Sequence, residues 1–174
     1  MFADESGFML QPTVRRTWAP RGQTPIHYSW DRRDRLSSIS AVTVSPNRRR
    51  LGLYFEVLDH NVRTDNFEAF VVWLLRRLGR SITLVMDRLQ AHRSAAKRLK
   101  ARFGRRVAIE WLPPYAPDLN PDEQVWQRAK HVDLANFLPA DVDELREALA
   151  ESLERTRGQQ GLLRSFFRHA SLPL

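Results

Sequence analysis

The feature that most constrains this chain is a change of hydrophobic period near residue 60. Before it, apolar residues fall in short β-rich runs; after it, they recur mainly at helical spacing. Residues 36–44 (LSSISAVTV) and 51–58 (LGLYFEVL) are rich in β-branched and aromatic side chains. Ser45, Pro46 and Asn47, followed by Arg48, Arg49 and Arg50, supply the turn between them. The opening residues 1–5 (MFADE) read as the end of another strand, closed by Asp4, with almost nothing before it. Residues 14–25, with Pro20, Gly22 and Pro25, read as an irregular loop or hairpin.

Past residue 63 the spacing of Phe67, Phe70, Val71, Leu74 and Leu78 predicts a helix, with Thr64, Asp65 and Asn66 as cap residues and Gly79 as its stop. Residues 82–87 (ITLVMD) form an apolar run ending in an acid, as expected of a buried central strand. A basic amphipathic helix is expected over 94–103 and a strand over 107–111. After the proline-rich 112–117, Asn120 can cap a helix with Pro121 at its first position, reaching about Lys130. Val142, Leu145, Leu149 and Leu153 predict a long helix over 141–156, and Leu162, Leu163, Phe166 and Phe167 a short terminal one.

Three antiparallel strands followed by alternating helices and strands is the ribonuclease-H-like order. The expected fold is therefore α/β, a mixed sheet with helices on both faces. At 174 residues the chain suits one domain over 1–174, with no repeat or linker. It has no cysteine, so disulfides and thiolate metal sites are excluded, and a metal must sit on oxygen or imidazole. No apolar stretch approaches the ~20 residues a membrane span needs, and no signal peptide opens the chain. A cytoplasmic protein with no membrane partner is expected.

Two acids end strands and a third starts a helix: Asp4, Asp87 and Glu123. In a mixed sheet the first and fourth strands are natural neighbours, which would bring Asp4 and Asp87 side by side. Clustered carboxylates repel and do not all stay ionised unpaired, a conflict that hard divalent cations resolve. Each acid also has a plainer reading: Asp4 as a surface residue, Asp87 as a cap for the next loop, Glu123 as the partner in a capping box with Asn120. Adjacent Asp122 competes with Glu123 for the third place.

Charge adds a partner class. The chain carries 28 Lys+Arg against 20 Asp+Glu, and between Arg76 and Arg106 eleven basic residues face a single acid, Asp87. Almost all the positive charge is arginine, whose planar fork suits phosphate oxygens. The same charge could also form an ordinary solvated face.

The stretch 112–126 (LPPYAPDLNPDEQVW) closely resembles the third-carboxylate motif of the mariner superfamily and related bacterial insertion-sequence transposases. In those proteins a P-Y-(S/A)-P-(D/E)-L-N-P-x-E segment precedes a helix containing Trp. Residues 2–8 (FADESGF) resemble their first-carboxylate strand, 15–25 (RRTWAPRGQTP) the loop after it, and 84–92 (LVMDRLQAH) the second-carboxylate segment. The resemblance covers nearly the whole chain. It implies a DDE-type catalytic domain that cleaves DNA and transfers strands, with Asp4, Asp87 and Glu123 holding Mg²⁺ or Mn²⁺, two ions in all.

The same resemblance implies DNA as partner (transposon ends and target), a homodimer, and bacterial, nucleoid-associated action. Arg48, Arg49, Arg50, Arg88, His92, Arg93, Lys97 and Lys130 are the expected nucleic-acid contacts; His92 can alternatively orient a carboxylate. Two departures stand out. Arg88 occupies the place of the family's Asn after the second Asp, where it either contacts phosphate or weakens metal binding. The family's helix-turn-helix region does not precede Asp4, so a domain truncated at its N-terminus is expected, with a separately encoded helix-turn-helix partner. An inactive remnant that only binds nucleic acid is the alternative. A ribonuclease or glycosidase built on paired carboxylates fits the acids and not the 112–126 text.

Overall fold

A computed structural model describes residues 1–26, 28, 34–172 and 174. Its strands are β1 (Phe2–Met9), β2 (Arg35–Val44), β3 (Leu51–Leu58), β4 (Ile82–Met86) and β5 (Val107–Trp111). They form one sheet in the order β3-β2-β1-β4-β5. The β1-β2 and β2-β3 pairs are antiparallel, whereas β1-β4 and β4-β5 are parallel. The mixed ribonuclease-H-like sheet and the adjacency of the first and fourth strands are as the sequence implies.

The helices are α1 (Thr64–Leu78), α2 (Gln90–Phe103), α3 (Glu123–Arg128), α4 (Val142–Arg157) and α5 (Gln160–His169). One face of the sheet packs Ala3, Ile39, Leu84 and Met86 against Phe67, Phe70 and Leu74 of α1 and Leu99 of α2. The other packs Phe8, Leu36, Val42 and Leu53 against Trp126 of α3, Leu149 of α4 and Phe167 of α5. Strand alternation therefore decides which helices each β1 residue meets: Phe2, Asp4, Ser6 and Phe8 share the α3–α5 face, and Ala3 and Glu5 the α1–α2 face. No helix among the described residues is long and apolar enough to cross a membrane.

Three expectations are corrected. Asp4 does not close β1, which runs on to Met9 and pairs with β2 along its whole length. The polar stretch Glu5-Ser6-Gly7 is held extended by the β2 ladder, which overrides its poor strand propensity. Helix α2 starts at Gln90, four residues before Ser94, because Asp87 Oδ1 accepts the Leu89 N–H at 3.0 Å and anchors its first turn.

Asn120 does not cap the next helix, which begins at Glu123 after a tight turn in which Glu123 N–H donates to Asn120 O (3.1 Å). That helix widens into a π turn over Ala129–Asp133, closed by the Leu134 N–H to Ala129 O bond (2.9 Å). Asp133 ties the turn to α4 by accepting from Ser152 Oγ at 2.6 Å and pairs with Arg128 at 3.4 Å. Wide turns of this kind are frequent where a helix re-aims a functional side chain; this one carries Lys130.

Candidate active site

Asp4 stands in mid-strand, opposite Ser40 of β2, on the face covered by α3. Asn120 reaches it from 116 residues away: its Nδ2 donates to Asp4 Oδ2 at 2.9 Å, while its Oδ1 accepts the Asp122 N–H at 3.2 Å. The asparagine of the L-N-P text thus joins the first-acid strand to the third-acid turn. Asp4 Oδ1 accepts the Glu5 N–H at 2.8 Å. Burial, then the negative charge of Glu5, and then those of Glu123 and Asp87, push the Asp4 carboxyl up to about 7. Asp87 and Glu123 are therefore both near enough to be felt at Asp4.

The two candidates for the third acid separate clearly. Asp122 is fully buried and its Oδ1 accepts from Ser40 Oγ at 2.7 Å, while Oδ2 has no hydrogen-bond partner among the described residues. Burial, with the charge of Asp4 behind it, raises the Asp122 carboxyl well above the usual carboxylate range. Glu123 is half-buried, and its Oε1 accepts from Gln127 Nε2 at 3.2 Å within the helix. It makes no capping box with Asn120, whose side chain is engaged by Asp4 and Asp122.

Asp87 follows β4 directly and keeps a side chain 44% exposed. Burial works against its charge, but a hydrogen bond from His92 and the Leu89 N–H hold it below the ordinary Asp value. His92 lies in the first turn of α2, wholly buried against Phe67, with Nδ1 2.5 Å from Asp87 Oδ1 and Nε2 2.6 Å from Glu5 Oε2. Burial alone would depress its pKa; the two carboxylates overcome that and raise it to about 9. His92 is thus an imidazolium clasp between β1 and the end of β4. Neither ring nitrogen is left for a phosphate.

Lys130 comes in from the π turn. Its Nζ donates to Ser6 Oγ at 2.7 Å and lies 5.2 Å from the centre of the Phe8 ring. Burial lowers its pKa while Glu123 and Asp4 pull the other way, which places the ammonium within their field. Arg88, Arg93 and Lys97 are exposed: Arg88 beside Asp87, the other two one turn apart on α2. Arg48, Arg49 and Arg50 stand at the far end of the sheet, in the β2–β3 turn, away from the carboxylates.

Glu5, Ser6 and Ser40 are the participants that sequence reading missed. Strand parity was the available signal, since consecutive acids on one strand must face opposite ways and Glu5 then needs a partner of its own. Among the described residues, no three His, Asp or Glu side chains form a ready metal cluster. The arrangement instead offers a buried carboxyl, Asp4, within electrostatic range of two others, Glu123 and Asp87. Cations are held at the margins.

A family model described as "DDE superfamily endonuclease" matches residues 1–146. No curated protein sequence matches the chain. Among solved structures, the Mos1 mariner paired-end complex with Mn is similar at TM-score 0.65 and 15% identity, over 98% of this chain and 51% of that one. A pre-cleavage Mos1 transpososome gives 0.66 and 14%, over 98% and 51%. The Mos1 strand transfer complex gives 0.62 and 15%, over 98% and 53%. The chain thus spans about half the length of the solved proteins it resembles, and at these identities the likeness establishes the shared fold.

Proposed function

Because the chain belongs to the DDE superfamily of endonucleases, we propose that it is a transposase catalytic domain that cuts DNA at transposon ends and joins the freed 3′-hydroxyl to target DNA. The observation that carries this reading is the convergence of three segments: Asn120 Nδ2 donates to Asp4 Oδ2 at 2.9 Å, which joins β1 to the turn that bears Glu123, and the charges of Glu123 and Asp87 both act on the buried Asp4 carboxyl. A buried carboxyl that feels two neighbouring carboxylates is unfavourable when unpaired, and the three together are a good set of hard oxygen donors. Carboxylate oxygens are the donor type that hard divalent cations take. Asp4, Asp87 and Glu123 would hold Mg²⁺ or Mn²⁺, two ions sharing the three side chains. When bound, such ions supply an activated water or 3′-hydroxyl and stabilise the departing oxygen of a phosphodiester.

The chain's own groups prepare that site. Asn120 fixes the Asp4 carboxylate, and His92 fixes Asp87 while offsetting part of its charge. Asp122, buried, accepts a hydrogen bond from Ser40 and so ties the turn before Glu123 to β2. Lys130 faces the Asp4 and Glu123 field and can meet a phosphate there; Arg88, Arg93 and Lys97 line the approach. Synapsis by a homodimer, a separately encoded helix-turn-helix partner, and action at the bacterial nucleoid belong to the same reading. The paired-end and strand-transfer states of the similar structures support the first of these.

Supercoiled plasmid nicking with Mn²⁺ tests the proposal. The wild-type chain is expected to nick with Mn²⁺ and not with EDTA, and Asp87→Ala to lose at least about a hundredfold, as loss of a metal-centred charge effect implies. Equal nicking by Asp87→Ala would sink the assignment. A wild-type chain that binds the plasmid and never nicks it would be the inactive nucleic-acid binder.

A further inference from the structure

The end of the sheet opposite the carboxylates carries a cationic surface that the proposed reaction does not use. The β2–β3 turn there is closed by a set of hydrogen bonds. Ser45 N–H donates to Arg50 O at 2.9 Å and Arg48 N–H to Ser45 O at 2.8 Å. Asn47 Oδ1 accepts from Ser45 Oγ at 2.7 Å and from Arg49 N–H at 3.2 Å. Arg48 adopts the left-handed conformation, φ 55°, a cost this bonding offsets. Helix α5 clamps the turn from outside: Arg164 Nη2 donates to the Arg49 carbonyl at 2.7 Å, and the Gln160 carboxamide pairs with both backbone groups of Leu51.

Against this turn stand Arg77, in the last turn of α1, and Arg80, just after it. Arg50, Arg77 and Arg80 line a groove of 590 Å³ with Tyr54 in its wall. Arg49, Arg50 and Arg80 line an adjoining one of 480 Å³. No Asp or Glu lines either groove. Among the described residues, no ion pair engages any of these four arginines. Arg105 and Arg106, exposed just before β5, stand at the same end, because Val107 pairs with Ile82. A favourable helix-dipole contact accounts for Arg77; it does not account for Arg49, Arg50 or Arg80.

Guanidinium groups gathered without acids repel one another, and a turn pinned at this many backbone atoms lowers the entropy cost of binding. Their forked donors match phosphate oxygens. Five residues of β4 separate this end from Asp87, about 16 Å at ~3.3 Å per residue. A phosphate held here is not the one at the carboxylates.

We propose that Arg49, Arg50, Arg77 and Arg80 form a second nucleic-acid backbone site, binding a duplex segment distinct from the one presented to the carboxylates. The choice of nucleic acid rests on the transposase reading; the existence of the site rests on the arginines.

The test is binding of a 20-bp duplex of arbitrary sequence to the full chain in EDTA, followed by fluorescence anisotropy and by amide shifts of Gly52, Ser81 and Thr83 at the groove. The expected results are shifts at these amides and a loss of at least about tenfold in Arg49→Glu/Arg50→Glu/Arg80→Glu. The slope of log K against log salt should fall by about 2–3. Unchanged affinity in the triple variant, or shifts confined to the carboxylate end, overturns the proposal. So does displacement of the duplex from the groove amides by polyglutamate at lower charge concentration, which would mark an acidic protein as the occupant. Because no metal is present, this binding can fail while Mn²⁺-dependent nicking stands, and the reverse.

Discussion

At the scale of single residues, the site is a set of carboxylates whose protonation the fold has rearranged. Asp4 has a folded pKa raised to about 7, above its unfolded value, and His92 one raised to about 9. Both bind protons more tightly folded than unfolded, so both contribute stability that is lost as pH rises. The Asp4 share fades from about pH 4 through 7, and the His92 share from about 6.5 through 9. Metal-free protein should therefore lose melting temperature steadily between pH 5 and 9, with His92→Gln flattening the upper half of that fall; a melting temperature that climbs over this range contradicts the clasp. With Asp4 as a ligand, as proposed, Mn²⁺ would compete with its proton, and the stabilising effect of Mn²⁺ should grow across the same interval. Arg88 is a second residue-scale lever. Replacing this exposed cation beside Asp87 by Asn, the residue found there in the family it resembles, should tighten Mn²⁺ binding by roughly fivefold, the effect of one nearby unit charge at partly solvated distance. Weaker binding in Arg88→Asn would instead make Arg88 a positioning group for Asp87.

At the scale of elements, most of the architecture was legible from period alone. Strand β3, helix α1 with its Gly79 stop, and strand β5 lie where the spacing of apolar residues puts them. What was not legible depended on long-range partners. Asp4 read as the close of the first strand, yet Glu5, Ser6 and Gly7 beyond it each lie on the β2 ladder, and Glu5 and Ser6 find partners in His92 and Lys130. Asn120 read as a local cap because local rules see only the helix ahead of it, while Asp4, 116 residues away, claims its amide. Helix α3 shows what such long-range demand costs. Trp126 is fully buried, edge-on to Phe8 at 6.0 Å, and its indole N–H has no partner among the described residues. Trp126→Ala should destabilise by about 3–5 kcal/mol in denaturant unfolding. Trp126→Phe should cost much less, because it removes the orphaned N–H along with part of the ring. Equal losses in the two variants would mean the N–H is satisfied in solution.

At the scale of the whole molecule, the sheet separates two chemistries. Carboxylates gather where β1 passes the end of β4, and arginines gather at the opposite end, about 16 Å away by strand rise. Family membership was legible in the text around Glu123, and alignment to that text favours Glu123 over the adjacent Asp122 as the third acid; what the text does not carry is their burial, since neighbouring positions on a turn differ in which way the fold points them. The central claim is that Asp4, Asp87 and Glu123, and not Asp122, bind the divalent ions, and Mn²⁺ titration of the full chain by calorimetry at pH 7.5 tests it most directly. Asp4→Asn, Asp87→Asn and Glu123→Gln should each weaken Mn²⁺ binding by at least about tenfold, as removal of a ligand charge requires, with Asp122→Asn within about twofold of wild type. Tight Mn²⁺ binding that survives Glu123→Gln and is abolished by Asp122→Asn would contradict the account.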